Sequence, residues 1–145
     1  MVSGERAREL LVADVMTRSV AVVAPDAATA SARRVARRNG AHHLLVMDEG
    51  ILVGILCLCD LHGAGPAVPV SERMTDRVAV TRPDSTLAEA IAIMKARRVG
   101  CLPVVAGGLI MGMLSADRLR RTEVGPRNAA PACRCSRRRV EYRPS

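Results

Sequence analysis

Apolar positions along the chain change period several times, and they do so twice in the same order. Val20 to Ala24 is a short run rich in β-branched residues that ends at Pro25 and predicts a strand. Pro25-Asp26 then opens a helix through Ala27 to Arg38, which Asn39-Gly40 stops. Two apolar runs follow, Leu44-Leu45-Val46-Met47 and Ile51 to Leu58, separated by the turn residues Asp48-Glu49-Gly50; this is the pattern of a β-hairpin. A last helix begins near Asp60. Further along, Val78, Val80 and Thr81 predict a strand, and Thr86 with Glu89 three residues on is a capping box. Leu87, Ala90, Ile91 and Met94 mark one helical face. Pro103-Val104-Val105, the Gly107-Gly108 turn and Leu109 to Leu114 give a second hairpin, and a final helix starts near Ser115 or Ala116. Each half therefore reads β-α-β-β-α, which is an α/β unit.

The two halves are copies. Val12 to Leu61 lies over Val70 to Leu119 at a spacing of 58 without a gap, and 16 of the 50 aligned pairs are identical, among them Met16/Met74, Thr17/Thr75, Pro25/Pro83, Gly54/Gly112 and Leu61/Leu119. Self-similarity of this length marks one supersecondary unit built twice, and two such units generally pack about a pseudo-two-fold axis with a cleft between them. The organisation expected is an N-terminal helix or arm over residues 1–11, a first repeat over 12–61, a linker over 62–69, a second repeat over 70–119 and a basic tail over 120–145. The linker, His62 to Pro69, holds two glycines and two prolines and cuts the first copy's terminal helix short. Glu5 to Val12 is read as a short helix with Leu10, Leu11 and Val12 available for docking.

Composition narrows what the pair can do. The 145 residues are 49% hydrophobic, almost all aliphatic, with no Trp, no Phe and a single tyrosine, Tyr142, outside both repeats. The aromatic platforms on which single-stranded nucleic acids stack are therefore missing from the repeats. Of the net charge of +8, residues 1–119 carry +2 and residues 120–145 carry +6. Arg134, Arg137, Arg138, Arg139 and Arg143 in that tail lie among Pro, Ala and Ser with no apolar period, the signature of a disordered arm. The Arg33-Arg34-Arg37-Arg38 cluster on the first helix reads as a solvated face. The five cysteines, with no export signal and no apolar run near the ~20 residues of a membrane helix, read as reduced thiols in a soluble cytoplasmic protein.

Several motifs, taken in order and twice in register, resemble the cystathionine-β-synthase (CBS) domain in its tandem form, the Bateman module. They are Asp14-Val15-Met16-Thr17 and Ser71-Glu72-Arg73-Met74-Thr75 before each strand, Pro25-Asp26 and Pro83-Asp84-Ser85-Thr86-Leu87 at the helix starts, Leu102-Pro103-Val104-Val105 after the helix, and a Gly-apolar-apolar-Ser/Thr-x-x-Asp ending. The resemblance covers about 108 residues. It implies a regulatory module that binds an adenosine-containing ligand (AMP, ADP, ATP, S-adenosylmethionine or NAD) in the cleft, requires no cofactor, forms a homodimer and modulates a partner protein. It implies no enzymatic activity, and no Ser/His/Asp, Cys/His or phosphate-loop arrangement in the chain points to one.

In the resemblance the last helix begins with a carboxylate that accepts the ribose hydroxyls, a neighbouring Ser or Thr meets ribose or phosphate, and basic side chains before the hairpin face the phosphates. Asp60 holds the carboxylate position and His42 and His43 the basic one, with Cys57 where Ser or Thr is usual. In the second repeat Ser115 is in place, Asp117 comes one residue early, and Arg118 stands at the carboxylate position, where it is offered to a phosphate. A shift of one residue at a helix start turns a side chain by about 100°. Thr81, on the second repeat's first strand, completes the candidate ligand-binding set. No metal site is expected, Cys57 and Cys59 being read as buried strand thiols. Two alternatives stand beside this reading: a ligand-free dimerisation scaffold, in which Asp60 is only a helix cap, and a nucleic-acid-associated protein working through the basic tail.

Overall fold

The structure, a computed structural model, describes residues 10–121. Its elements are α1 (Val12–Val15), β1 (Val22–Val23), α2 (Thr29–Asn39), β2 (His43–Asp48), β3 (Ile51–Cys57), a 3₁₀ turn (Leu58–Leu61), a second 3₁₀ turn (Val70–Glu72), α3 (Leu87–Arg97), β4 (Cys101–Ala106), β5 (Leu109–Ser115) and α4 (Ala116–Arg121). This is the mixed α/β order expected from the periodicity. The basic tail beyond residue 121 and the first nine residues lie outside the described residues.

Two compact units emerge. One is Val20–Val78; the other combines residues 10–19 with 79–121. In the first unit the sheet order is β1-β2-β3, with β1 parallel to β2 and β2 antiparallel to β3. Glu49 and Gly50, both at positive φ, make the tight turn between β2 and β3, as Gly107 and Gly108 do between β4 and β5. Beyond β3 the sheet is extended by Thr75, whose backbone exchanges two bonds of 2.9 Å with Ile55. The second unit repeats this plan, with Thr81 parallel to Val104, β4 antiparallel to β5, and Thr17 bonded twice to Met113 at 2.8 Å.

Thr17 and Thr75 are equivalent positions of the sequence repeat, and each closes the sheet of the other copy. The borders of the repeat in sequence and of the compact unit in space are thus offset by one lead-in segment. Gly54 and Gly112 permit this. A Cβ on Gly112 would overlap the carbonyl of Thr17 and one on Gly54 would overlap the side chain of Met74.

The cores are separate in composition. Ala32, Ala36, Leu44, Val46, Leu56, Leu61 and Val70 fill the first, between α2 and its sheet. Leu87, Ala90, Ile91, Met94, Leu102, Val104, Leu114 and Leu119, joined by Val12, Val15 and Met16, fill the second. Thr86 and Glu89 close the expected capping box, with Glu89 N–H donating to Thr86 Oγ1 at 3.1 Å and Thr86 N–H to Glu89 Oε1 at 3.0 Å. Gly40 ends α2 in the left-handed conformation at φ 59°.

Two expectations need correction. Val78, Val80 and Thr81 do not form a strand; only Thr81 pairs, because Pro83 two residues on has no N–H to continue the ladder. The first copy's terminal helix is a single 3₁₀ turn, ended at His62 and Gly63, the latter at φ 78°. Of the helix expected over Glu5 to Val12, residues 5–9 lie outside the described residues. Leu10 is a bend and Leu11 is extended, bridged to Thr86, and the helix starts only at Val12.

Candidate functional site

The β2–β3 register decides which first-repeat residues meet. His43 lies opposite Cys57 and Leu45 opposite Ile55, and directly opposed residues of an antiparallel pair project to the same side of the sheet. Leu44, Val46 and Leu56 project to the other side, into the core beneath α2. At the end of β3 the chain turns into Leu58–Leu61, and Asp60 Oδ2 accepts the Cys57 N–H at 2.8 Å. His43, Cys57 and Asp60 are thereby brought together, all half-buried.

His42 precedes β2 at a bend, is exposed, and lines a cavity beside α2 together with Arg33 and Arg37. The two adjacent imidazoles stay neighbours, their ring centroids 6.1 Å apart and tilted by 56°. The His42 carbonyl accepts the Leu58 N–H at 3.0 Å.

The second repeat uses the equivalent positions differently. Ser115 lies opposite Cys101, and its Oγ accepts the Arg118 N–H at 3.1 Å. In the first copy the carboxylate three residues on accepts the N–H of Cys57; in the second the hydroxyl accepts the N–H three residues on. Arg118 Nε donates to the carbonyl of Val15 at 2.6 Å, so this guanidinium anchors the lead-in segment, a role the sequence did not suggest. Asp117 is exposed on the first turn of α4. Thr81 is 3% exposed, its backbone bonded to Pro103 and Val105, and its hydroxyl is a buried oxygen without a hydrogen-bond partner.

Two cysteines refine the picture. The Cys59 thiol donates to Cys57 Sγ at 3.3 Å. Cys101 is a buried thiol whose ionisation is pushed far up by desolvation. No group of three His, Cys, Asp or Glu side chains comes together as a metal site among the described residues, and none of their helices is long and apolar enough to cross a membrane.

Comparison with known proteins gives the arrangement a context. The family model described as the CBS domain matches residues 12–65 and 70–125. The CBS domain-containing protein YhcV of Bacillus subtilis (strain 168) is 42% identical over 65 residues, 43% of this chain and 46% of that protein. A homoserine O-acetyltransferase of Methanosphaerula palustris is 30% identical over 115 residues, 77% of this chain and only 24% of the enzyme. The chain thus matches less than half the length of these curated relatives. Among solved structures, the cytosolic domain of the Mg²⁺ channel MgtE in complex with ATP is similar, with a TM-score of 0.70 and 29% identity over 81% of this chain and 50% of that one.

Proposed function

Because the chain belongs to the CBS domain family, matched in both repeats, we propose that it is a regulatory module that binds an adenosine-containing ligand and modulates a partner protein as a homodimer in the cytoplasm. The observation that carries this reading is the convergence of His43, Cys57 and Asp60 at the end of the first hairpin. A carboxylate offers about four acceptor directions, so a carboxylate that caps the turn through one of them still suits the paired hydroxyls of a ribose. His43, on the same side of the sheet, adds a donor for a phosphate or for the adenine edge. The MgtE cytosolic domain, similar over most of this chain, is a complex with ATP, which supports a nucleotide as the ligand class. The second repeat's Arg118, committed to the Val15 carbonyl, suits a nucleotide less well, so the reading places one adenosyl ligand on each chain, in the first repeat.

The test is thermal denaturation with AMP, ADP, ATP, S-adenosylmethionine and NAD, on the wild type, Asp60→Asn and Asp60→Ala. A ligand present at ~100 times its dissociation constant stabilises by about 2.7 kcal/mol, several degrees for a chain of this size. One compound is expected to raise the wild-type midpoint. Asp60→Asn keeps a cap acceptor and is expected to lose most of that rise with little change in the unliganded midpoint. Asp60→Ala is expected to lose the rise and a further ~1 kcal/mol of stability from the lost cap. No rise with any of the five in the wild type would reject the reading and favour a ligand-free scaffold.

A further inference from the structure

The two copies hold the turn after their hairpins by different means. In the second, β5 runs into the helix α4, whose own backbone ladder carries the turn onward. In the first, β3 runs into the 3₁₀ turn Leu58–Leu61, which stops at His62. A 3₁₀ turn has poorer hydrogen-bond geometry than an α-helix, and here no further turn of helix follows to hold its end. The end that carries Asp60 is fixed from outside.

Arg33, half-buried on α2, supplies that support. Its Nη2 donates to the Leu61 carbonyl at 2.5 Å, and a hydrogen bond from a charged donor is roughly twice as strong as one between neutral groups. The same carbonyl accepts the Ala64 N–H at 3.1 Å, and at the start of the turn the Leu58 N–H donates to the His42 carbonyl at 3.0 Å. Between these two ties lies Asp60, one residue before Leu61, with Oδ2 accepting the Cys57 N–H at 2.8 Å. In the second copy the position of Arg33 is taken by Ile91, a buried core residue, and that of Asp60 by Arg118, which donates to the Val15 carbonyl. The arginine on the helix and the carboxylate on the turn thus occur together in one copy and are both replaced in the other.

We infer that Arg33 is a positioning residue of the Asp60 site: by holding the Leu61 carbonyl it fixes the aim of the Asp60 carboxylate at the paired hydroxyls of a ribose. The inference rests on the adenosyl reading proposed above and adds to it the residue that sets the affinity. Bonds between a hydroxyl and a carboxylate need their oxygens within ~2.5–3.0 Å, so a turn released from α2 loses them even though Asp60 is still present. In this role Arg33 touches no ligand atom and acts only through the turn.

The experiment is titration of the full chain, followed by ¹⁵N–¹H spectra, with adenosine, the part common to the five candidate ligands, and with 2′,3′-dideoxyadenosine, which lacks both hydroxyls. Wild type, Arg33→Met and Arg33→Gln are compared. Methionine is apolar, as Ile91 is in the other copy, and glutamine is polar; each variant's melting curve verifies its fold. Both variants are expected to bind adenosine about tenfold more weakly than the wild type, the scale of a lost hydrogen bond to a charged group, and to bind the dideoxy compound within about twofold of it. A merely structural role would weaken both compounds alike. Without ligand, the Cys57 amide is expected to exchange with solvent faster in the variants, because Asp60 leaves it more often. Unchanged adenosine affinity, an equal loss for both compounds, or unchanged exchange at Cys57 would each overturn the inference and leave the adenosyl reading standing. No binding of adenosine by the wild type would overturn both.

Discussion

Single side chains here hold two kinds of stored information. Thr81 is buried with an unpartnered hydroxyl, where its counterpart in the first copy is Val23. A buried polar group without a partner costs about 1–3 kcal/mol, so Thr81→Val is expected to raise the melting midpoint of the unliganded protein, and calorimetry reads the change directly. Cys101 is buried opposite Ser115, and desolvation keeps its thiol protonated in the folded state. Its folded-state pKa is raised above the unfolded value of roughly 8.5. The stability it contributes is therefore intact below that value and declines as pH rises past it, because only the unfolded chain releases the proton. Thiol labelling at neutral pH is expected to leave Cys101 unmodified until denaturant is added. Neither feature can be read from sequence, since one apolar-flanked Thr or Cys resembles any other until its neighbours are known.

At the scale of elements, the sequence announced most of what forms. The capping box of Thr86 and Glu89, the Gly40 helix stop and the two positive-φ hairpin turns are local chemistry, and each appears where the residues predict it. The failures are equally local in cause. Thr81 pairs only once because Pro83 interrupts it, and the first copy's last helix shrinks to one turn before Gly63. The candidate site was legible as residue types, but the pairing of His43 with Cys57, beside Asp60, follows from the hairpin register, which the sequence does not number. The glycines at the sheet edge give a prediction at this scale. Gly112→Ala drives a methyl group into backbone, the Thr17 carbonyl, whereas Gly54→Ala meets chiefly the flexible end of Met74. Overpacking typically costs 1–3 kcal/mol, so Gly112→Ala is expected near the upper end of that range and Gly54→Ala below it. Urea denaturation of the two variants ranks them.

At the scale of the whole chain, the repeat visible in sequence is not the unit that closes in space. The self-match begins at Val12 and Val70, yet the sheet of the unit Val20–Val78 ends with Thr75 and that of its counterpart with Thr17. No comparison of the copies with each other could reveal this, because Thr17 and Thr75 are identical and either could have closed either sheet. A fragment spanning Val20–Val78 contains all its own sheet partners and the whole of its core. It is expected to unfold cooperatively, while a fragment of residues 12–61, cut at the repeat borders, is expected to show a broad, non-cooperative transition by circular dichroism. A cooperative melt of the shorter fragment would show that Thr17 can serve its own copy.

The exchange also bears on how such a chain arises by duplication. A single copy bounded as the sequence repeats it carries a sheet-edge strand meant for a neighbour and lacks the one it needs, so two separate copies meet their needs only by lending segments to each other. Joining them in one chain turns that reciprocal loan into a covalent certainty. It also frees the copies to diverge, and one of them has done so by giving up its last helix.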